Sequence, residues 1–255
     1  MRAAGLTRRS SGGTMITQAL NKGASHPRTT LLQIRGGTIC STPLITLDRK
    51  DIRRAADVLA EGFVEDPLYQ HILPDRSTRL DVLRIFFCNY VTMLYPYSDV
   101  YSTSGNMEAV ALVFRSDRTG LSIVSRFKDV SAMLLAIVKS IPICRYIGIR
   151  QFARGIAILH SMSSAWLSML GNQEYIHLDM LVVQSKYRGQ GFVSRIMKPL
   201  IEECNRRSIA CTLETQNPDN ILVYEHYGFS IVDVIPLPNS DLEQYCMVYS
   251  NTEDT

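Results

Sequence analysis

The stretch LVVQSKYRGQGFVSRIMKPLIEEC, residues 181–204, decides the fold class of this chain. An apolar run ends there, an arginine precedes two glycines one residue apart, and an amphipathic helical pattern begins. The first N–H groups of a helix lack partners within the helix, and the helix dipole places partial positive charge at that end. Glycine also lacks the Cβ that would keep a ligand away from the backbone. The stretch therefore predicts an anion site, and a pyrophosphate is the ligand that suits it.

Two common phosphate motifs do not account for this turn. The string G-x-x-x-x-G-K-[ST] of the P-loop does not occur in the sequence. Gly189 and Gly191 fit the first two glycines of the dinucleotide fingerprint G-x-G-x-x-G, and Glu214 could serve as its acid. Ser194 replaces the third glycine, however, and too little chain follows to build a doubly wound sheet.

The composition of the 255 residues limits the class of protein. Hydrophobic residues make up 46% and charged residues 20%, which is typical of a soluble globular protein. A formal net charge of +3 is too small to indicate nucleic acid as the main partner. The six cysteines lie apart without a C-x-x-C pair, so we expect neither a disulfide framework nor a metal site. This cysteine usage fits a reducing compartment, and we expect a cytoplasmic protein.

An apolar stretch at residues 134–158 is the nearest approach to a membrane span. Lys139, Pro142 and three arginines interrupt it. A spanning helix needs about 20 predominantly apolar residues, so we expect no span and no membrane partner.

Residues 1–42 differ from the rest of the chain. They are rich in Gly, Ser, Thr and Arg and show no hydrophobic periodicity, so we expect a disordered leader. The same composition is that of an organelle transit peptide, and Met15 offers another start. Residues 43–255 are predicted to form the folded domain.

The elements predicted after residue 43 form one mixed α/β domain. A short strand near 44–47 leads into a helix capped by Asp48, and two further helices follow before Pro96. Two strands joined at Gly105-Asn106 precede a helical insert at about 121–170. The remaining chain predicts strand, helix, strand, short helix, strand and strand.

Two motifs in this order resemble those of the GCN5-related N-acetyltransferase (GNAT) superfamily. The string VVQSKYRGQGF resembles the acyl-CoA-binding motif R/Q-x-x-G-x-G/A, whose six positions map to Arg188, Gly189, Gln190, Gly191, Phe192 and Val193. Val193 departs from the small final residue, which affects close packing near the phosphates but leaves its N–H free to donate. The string NPDNILVYEHYGF resembles N-x-x-A-x-x-x-Y-E-x-x-G-F, with matches at Asn217, Tyr224, Glu225, Gly228 and Phe229. Asn220 stands in for the alanine.

The resemblance covers the element order from about 44 to 250. Leu213–Pro218 also resembles an LET-x-NP segment of puromycin N-acetyltransferase-like enzymes, which act on small molecules. The resemblance to the superfamily implies a GNAT fold, in which helices flank a central, mostly antiparallel twisted sheet. Two strands, near 175–183 and 209–215, would splay apart within that sheet.

The resemblance also implies where acetyl-CoA would bind, as a co-substrate without a metal. The pantetheine arm would lie in the splay and bond to the backbone of Leu181, Val182 and Val183. The pyrophosphate would lie on the turn 188–193, and Asn217 and Tyr224 would line the cofactor.

Acyl transfer to an amine needs a base for the amine and an acid for the departing thiolate. Tyr224 matches the tyrosine that commonly acts as the acid, although a core tyrosine with a bonded hydroxyl is the alternative. His177 and Glu214 are both candidate bases, the latter through a water. Strand alternation places residues 175, 177 and 179 on one face, and the offset of His177 resembles that of histidines in arylalkylamine N-acetyltransferases. Asp179 would need burial to raise its pKa.

The sequence thus predicts an N-acetyltransferase that moves acetyl from acetyl-CoA to a small-molecule amine by direct attack. Two alternatives stay open: a protein or peptide N-acetyltransferase, and a catalytically inactive CoA-binding module. We expect a monomer or homodimer in the cytoplasm, unless residues 1–42 direct the chain to an organelle.

Overall fold

The computed structural model describes residues 43–118, 123–162, 165–171 and 173–250, and the predicted leader lies outside them. Within these residues one seven-stranded sheet has the order β1-β2-β3-β4-β5-β7-β6. The strands are β1 (Ile45–Thr46), β2 (Ser98–Ser102), β3 (Ala109–Arg115), β4 (Tyr175–Val183), β5 (Ala210–Thr215), β6 (Ser230–Pro236) and β7 (Glu243–Tyr249). The helices are α1 (Ile52–Phe63), α2 (Pro67–Ile72), α3 (Arg76–Leu94), α4 (Ile123–Ser140), α5 (Cys144–Ser161), α6 (Phe192–Arg207) and α7 (Ile221–Glu225). All neighbouring strands are antiparallel except β4 and β5, which confirms the predicted mixed α/β fold.

Local signals in the sequence set the starts of the N-terminal helices. Asp66 caps α2 by accepting a hydrogen bond from the Leu68 N–H at 3.0 Å, and Pro67 occupies the first turn. Asp75 caps α3 in the same way through the Ser77 N–H at 2.9 Å. These two contacts determine where the two further helices predicted before Pro96 begin.

A β-bulge in β4 divides the core into two clusters. The register with β3 pairs Leu112 with Met180 but Val113 with Leu178, so Asp179 is an extra residue in β4. Leu178 packs with α6 on one face, whereas Met180 packs with α1 and α3 on the other. The predicted strict alternation therefore fails after Asp179, because the bulge turns the following side chains to the opposite face.

The predicted helical insert is occupied by α4 and α5. Its two interruptions are where the sequence predicts them, at a 3-10 turn containing Pro142 and at Gly148, whose φ is +75°. The Asn89 side chain of α3 donates to Ser140 Oγ at 3.0 Å, and buried Ile143 and Phe152 pack into the α1–α3 core. These contacts hold one side of the insert against the domain.

Candidate active site

The strands β4 and β5 separate halfway along their length. Their parallel pairing runs from Tyr175–Ala210 to Leu178–Leu213 and then ends. Beyond the bulge at Asp179, residues 180–183 remain bonded to β3 through their other edge. The backbone edge that faces β5 is therefore open to a ligand, as the predicted splay requires.

A glycine turn lies between β4 and α6. Gly189 and Gly191 have φ angles of +74° and +78°, which favour glycine, and no atom lies within 4 Å of a Cβ built at either. The first helical bond runs from the Arg195 N–H to the Gly191 carbonyl at 3.2 Å, which leaves the N–H groups of the first turn outside the helical pattern. With exposed Arg188 beside it, the turn can hold a phosphate-bearing ligand.

The other predicted cofactor residues have mixed surroundings. The side chains of Val182 and Phe192 are buried in the two core clusters, so only their backbone is free to meet a ligand. Leu181, Val183 and Val193 are half-buried, and exposed Gln190 donates to the Lys186 carbonyl at 3.0 Å. Asn217 caps a 3-10 turn by accepting from the Asp219 N–H at 3.1 Å. Its amide oxygen therefore already has a structural partner.

Tyr224 lies on α7, with its ring centre 6.1 Å from that of Phe229. Burial, and then the negative charge of Asp66, raises the pKa of Tyr224 to about 12. The phenol therefore keeps its proton near neutral pH and can donate it.

Two buried carboxyl groups lie at the opening of the splay. Asp179 accepts a hydrogen bond from the Tyr90 hydroxyl at 3.1 Å through Oδ1, whereas its Oδ2 is buried and has no partner in the described part of the chain. Burial raises the pKa of Asp179 to about 6. Glu214 follows Leu213, the last residue of β5 that pairs with β4, and its carboxylate accepts a hydrogen bond from Trp166 Nε1 at 2.5 Å. Burial raises the pKa of Glu214 to about 7, against the effect of the Trp166 bond, and the charge of Asp179 adds to the rise.

Asp66 is a third carboxyl group of this region. Burial raises its pKa to about 6, although the Leu68 N–H opposes the shift. The negative charge of Asp66 raises the pKa of Tyr69 and of Tyr224. The charge of Asp179 also raises the pKa of Tyr69. Asp66, Asp179 and Glu214, which we call the acidic triad, therefore surround one region between the α1–α3 core and the splay.

The acidic triad differs from the buried acids elsewhere in the domain. Asp99 accepts from Arg115 at 2.7 Å, and its bonds to Arg118 and Arg115 hold its pKa below the usual range despite burial. Among the described residues, no lysine or arginine forms an ion pair with a member of the triad. The triad is thus suited to a cation that the protein itself does not supply.

His177 is a weaker candidate base than the sequence predicts. Its Nδ1 lies 2.9 Å from the Thr212 hydroxyl, and burial lowers its pKa to about 4. A proton received near neutral pH would be held weakly there. The pKa is low because β4 and β5 are still paired at the level of His177, which buries the imidazole.

Residues 153–235 match the family model described as the acetyltransferase (GNAT) domain. These 83 of the 255 residues are therefore identified as part of a GNAT acetyltransferase domain. By class it is an N-acetyltransferase. The match runs from α5 to β6 and includes the splay, the glycine turn and Tyr224. Comparison with curated protein sequences finds no significant match.

Solved structures agree with the GNAT fold. A Corynebacterium glutamicum protein described as histone acetyltransferase HPA2 and related acetyltransferase is 18% identical, with a TM-score of 0.54, over 84% of this chain and 98% of that one. Drosophila melanogaster polyamine N-acetyltransferase is 12% identical, with a TM-score of 0.49, over 82% and 99% of the two chains. Arylalkylamine N-acetyltransferase 2 of Aedes aegypti is 14% identical, with a TM-score of 0.47, over 81% and 97%. Of these three, only the Corynebacterium glutamicum structure has a TM-score above 0.5, and at 18% identity it supports the fold alone and not a substrate. The likeness to puromycin N-acetyltransferase stays a prediction.

Sequence reasoning missed part of the site of this GNAT domain. Asp66 precedes Pro67 in a stretch typical of a loop, and Tyr90 carries no motif. Trp166 could line an acceptor pocket by its residue type, but an aromatic residue at helical spacing is more often part of the core. The two aromatic side chains meet Asp179 and Glu214 only because α2, α3 and the insert pack over the splay. The one signal in the sequence was Asp179, a carboxylate on a strand that is otherwise largely apolar.

Proposed function

We propose that this GNAT domain transfers the acetyl group of acetyl-CoA to the amine of a small cationic molecule, by direct attack in a ternary complex. The observation that carries the proposal is Glu214, a carboxyl group with a pKa of about 7 at the point where β5 leaves β4. A general base works best when its pKa is near the working pH.

The glycine turn and the open edge of β4 fit acetyl-CoA. The N–H groups of residues 189–193 and the guanidinium of Arg188 would hold the pyrophosphate, and the backbone of residues 181–183 would bond to the pantetheine arm. Acetyl-CoA supplies an acetyl group activated as a thioester. Asn217 supports this site by capping the turn before α7, so we assign it to positioning Tyr224.

Two side chains would move the protons of the reaction. An amine arrives mostly as an ammonium ion, and ionised Glu214 takes one of its protons and passes it to solvent. The freed lone pair then forms the new C–N bond while the C–S bond breaks. Tyr224 gives its phenolic proton to the departing sulfur, and the second proton of the attacking nitrogen restores the phenol.

The acidic triad favours a small cationic acceptor. Its carboxyl groups have raised pKa values because they are buried, and a bound ammonium ion would relieve that cost. Tyr69, Tyr90 and Trp166 supply aromatic surface beside them. A protein or peptide amine would have to reach the same depth between α2, α3 and the insert, so the small acceptor is the better fit.

Measuring thiol release from acetyl-CoA with a panel of acceptors tests this function. We expect small primary amines, and diamines in particular, to react faster than peptides carrying a free N-terminus or a lysine. Glu214→Gln should remove the reaction, whereas Glu202→Gln, an exposed change of the same kind on α6, should not. Faster reaction with peptides would favour a protein acetyltransferase. Acetyl-CoA binding without thiol release for any acceptor would favour an inactive binding module.

A further inference from the structure

The helical insert carries exposed apolar side chains where it faces away from the domain. Val138 of α4 is 57% exposed and Ile149 of α5 is 68% exposed. We use the term insert face for six such residues: Leu134, Leu135, Val138, Ile141, Tyr146 and Ile149. Leu134 and Val138 lie four residues apart on α4, Ile141 begins the turn after it, and Tyr146 and Ile149 lie on the first turns of α5. Scattered apolar residues are ordinary on a protein surface, but six exposed ones on two consecutive helices and the turn between them favour an interaction site.

The charge around the insert face has a single sign. Residues 130–173 contain no Asp or Glu. Exposed Lys139, Arg145, Arg150 and Arg154 lie among the apolar residues, and within the described ranges none of the four forms an ion pair with a carboxylate. A partner for this surface must therefore accept apolar side chains and supply negative charge.

The insert is unsuited to crossing a membrane. By length and composition alone, Ser131–Leu170 is apolar enough to do so. It is broken, however, at residues 141–143 and at Gly148, and Phe152 is buried against the domain. Apolar residues on one side and cations beside them are typical of helices that lie in the membrane interface.

We propose that the insert face docks this GNAT domain onto an anionic lipid bilayer. The apolar side chains enter the boundary between headgroups and acyl chains, and the four cations contact the acidic headgroups. A second copy of the chain would be a poorer partner for the insert face, because the cations of the two copies would repel each other. The expectation of no membrane partner concerned a spanning helix, and surface docking replaces it. This inference does not rest on the proposed reaction.

Sedimentation of the full chain with lipid vesicles tests the docking. Vesicles of phosphatidylcholine alone are compared with vesicles that also contain phosphatidylserine. We expect binding to the second kind only, and weaker binding as salt is added. Val138→Asp should weaken binding by about tenfold or more, because it removes an apolar side chain that would enter the bilayer and adds a negative charge that the acidic headgroups repel. Val232→Asp is the matched control, because Val232 is also exposed but lies on β6, an edge strand of the sheet outside the insert. This variant should bind vesicles as the native chain does.

A second variant isolates the charge. Arg150→Gln with Arg154→Gln should weaken binding by roughly 25-fold, since each cation near an anionic surface contributes about fivefold. Circular dichroism checks that each variant is folded. The proposal is overturned if the native chain does not bind vesicles that contain phosphatidylserine, or if Val138→Asp and Val232→Asp weaken binding equally. It is also overturned if Val138→Asp instead changes the oligomeric state of the chain in solution, because the insert face would then be a contact between copies.

Discussion

Two substitutions around Glu214 should shift its titration in opposite directions. The Trp166 N–H stabilises the charged carboxylate, so Trp166→Phe should raise the pKa of Glu214. Asp179 carries a like charge that raises the pKa of Glu214, so Asp179→Asn should lower it. If Glu214 is the base, the acidic limb of kcat/KM must follow both changes.

The size of the first shift follows from the bond that is lost. A hydrogen bond to a charged group is worth about 1.5 kcal/mol at the lower end of its range. One pKa unit corresponds to about 1.4 kcal/mol, so the limb should move up by about one unit, from near 7 towards 8. The second shift leaves the burial of Glu214 in place. In Asp179→Asn the acidic limb of kcat/KM should therefore lie below pH 7 but above 4.5, the ordinary pKa of glutamate.

The assay is the pH dependence of kcat/KM with one accepted amine, measured for the native chain and both variants. Leu167→Val is the control for Trp166→Phe, because it reduces packing in the same cluster without touching the bond to Glu214. Its limb should not move. Limbs that shift in the same direction in Trp166→Phe and Asp179→Asn, or that persist unchanged in Glu214→Gln, would refute the assignment of Glu214.

Three further predictions concern the cofactor turn, the acid and the buried carboxyl. Gly191→Asp should weaken acetyl-CoA binding at least tenfold in calorimetry, because it brings a carboxylate to the phosphates, whereas Gly148→Asp, with a φ of +75° and equally open space, should not. Tyr224→Phe should lower kcat by about 10²–10⁴-fold with acetyl-CoA affinity kept, whereas Tyr227→Phe, which loses a 2.6 Å bond to a serine, should cost about 1 kcal/mol of stability and leave kcat near normal. Asp179→Asn should stabilise the fold in urea at pH 8 by up to about 3 kcal/mol, because the folded pKa of about 6 lies above the unfolded 3.8 and ionisation opposes folding above pH 6. That gain should be absent below pH 3.8, where the carboxyl is protonated in both states, and a gain equal at both pH values would contradict the shift.

The sequence predicted the fold well because its signals are local. The breaks at Pro142 and Gly148 and the glycine turn each act within a few residues of chain. The splay was predicted from motif resemblance, and the structure places its start after Leu178.

The site could be predicted only in part, because its electrostatics depend on contacts that are distant in sequence. Trp166 reaches Glu214 across 48 positions, and Tyr90 reaches Asp179 across 89. No pattern in the sequence reports such contacts. The same limit applies to His177, whose low pKa comes from the strands that bury it.

Joint measurement of the two products tests the central claim most directly. The native chain is incubated with acetyl-CoA and a small primary amine, and mass spectrometry of the amine is combined with titration of the released thiol. The account predicts one acetylated amine for each CoA thiol, with both products lost together in Glu214→Gln and Tyr224→Phe. Thiol release without acetylated amine, or acetylated amine formed at the native rate by both variants, would contradict it.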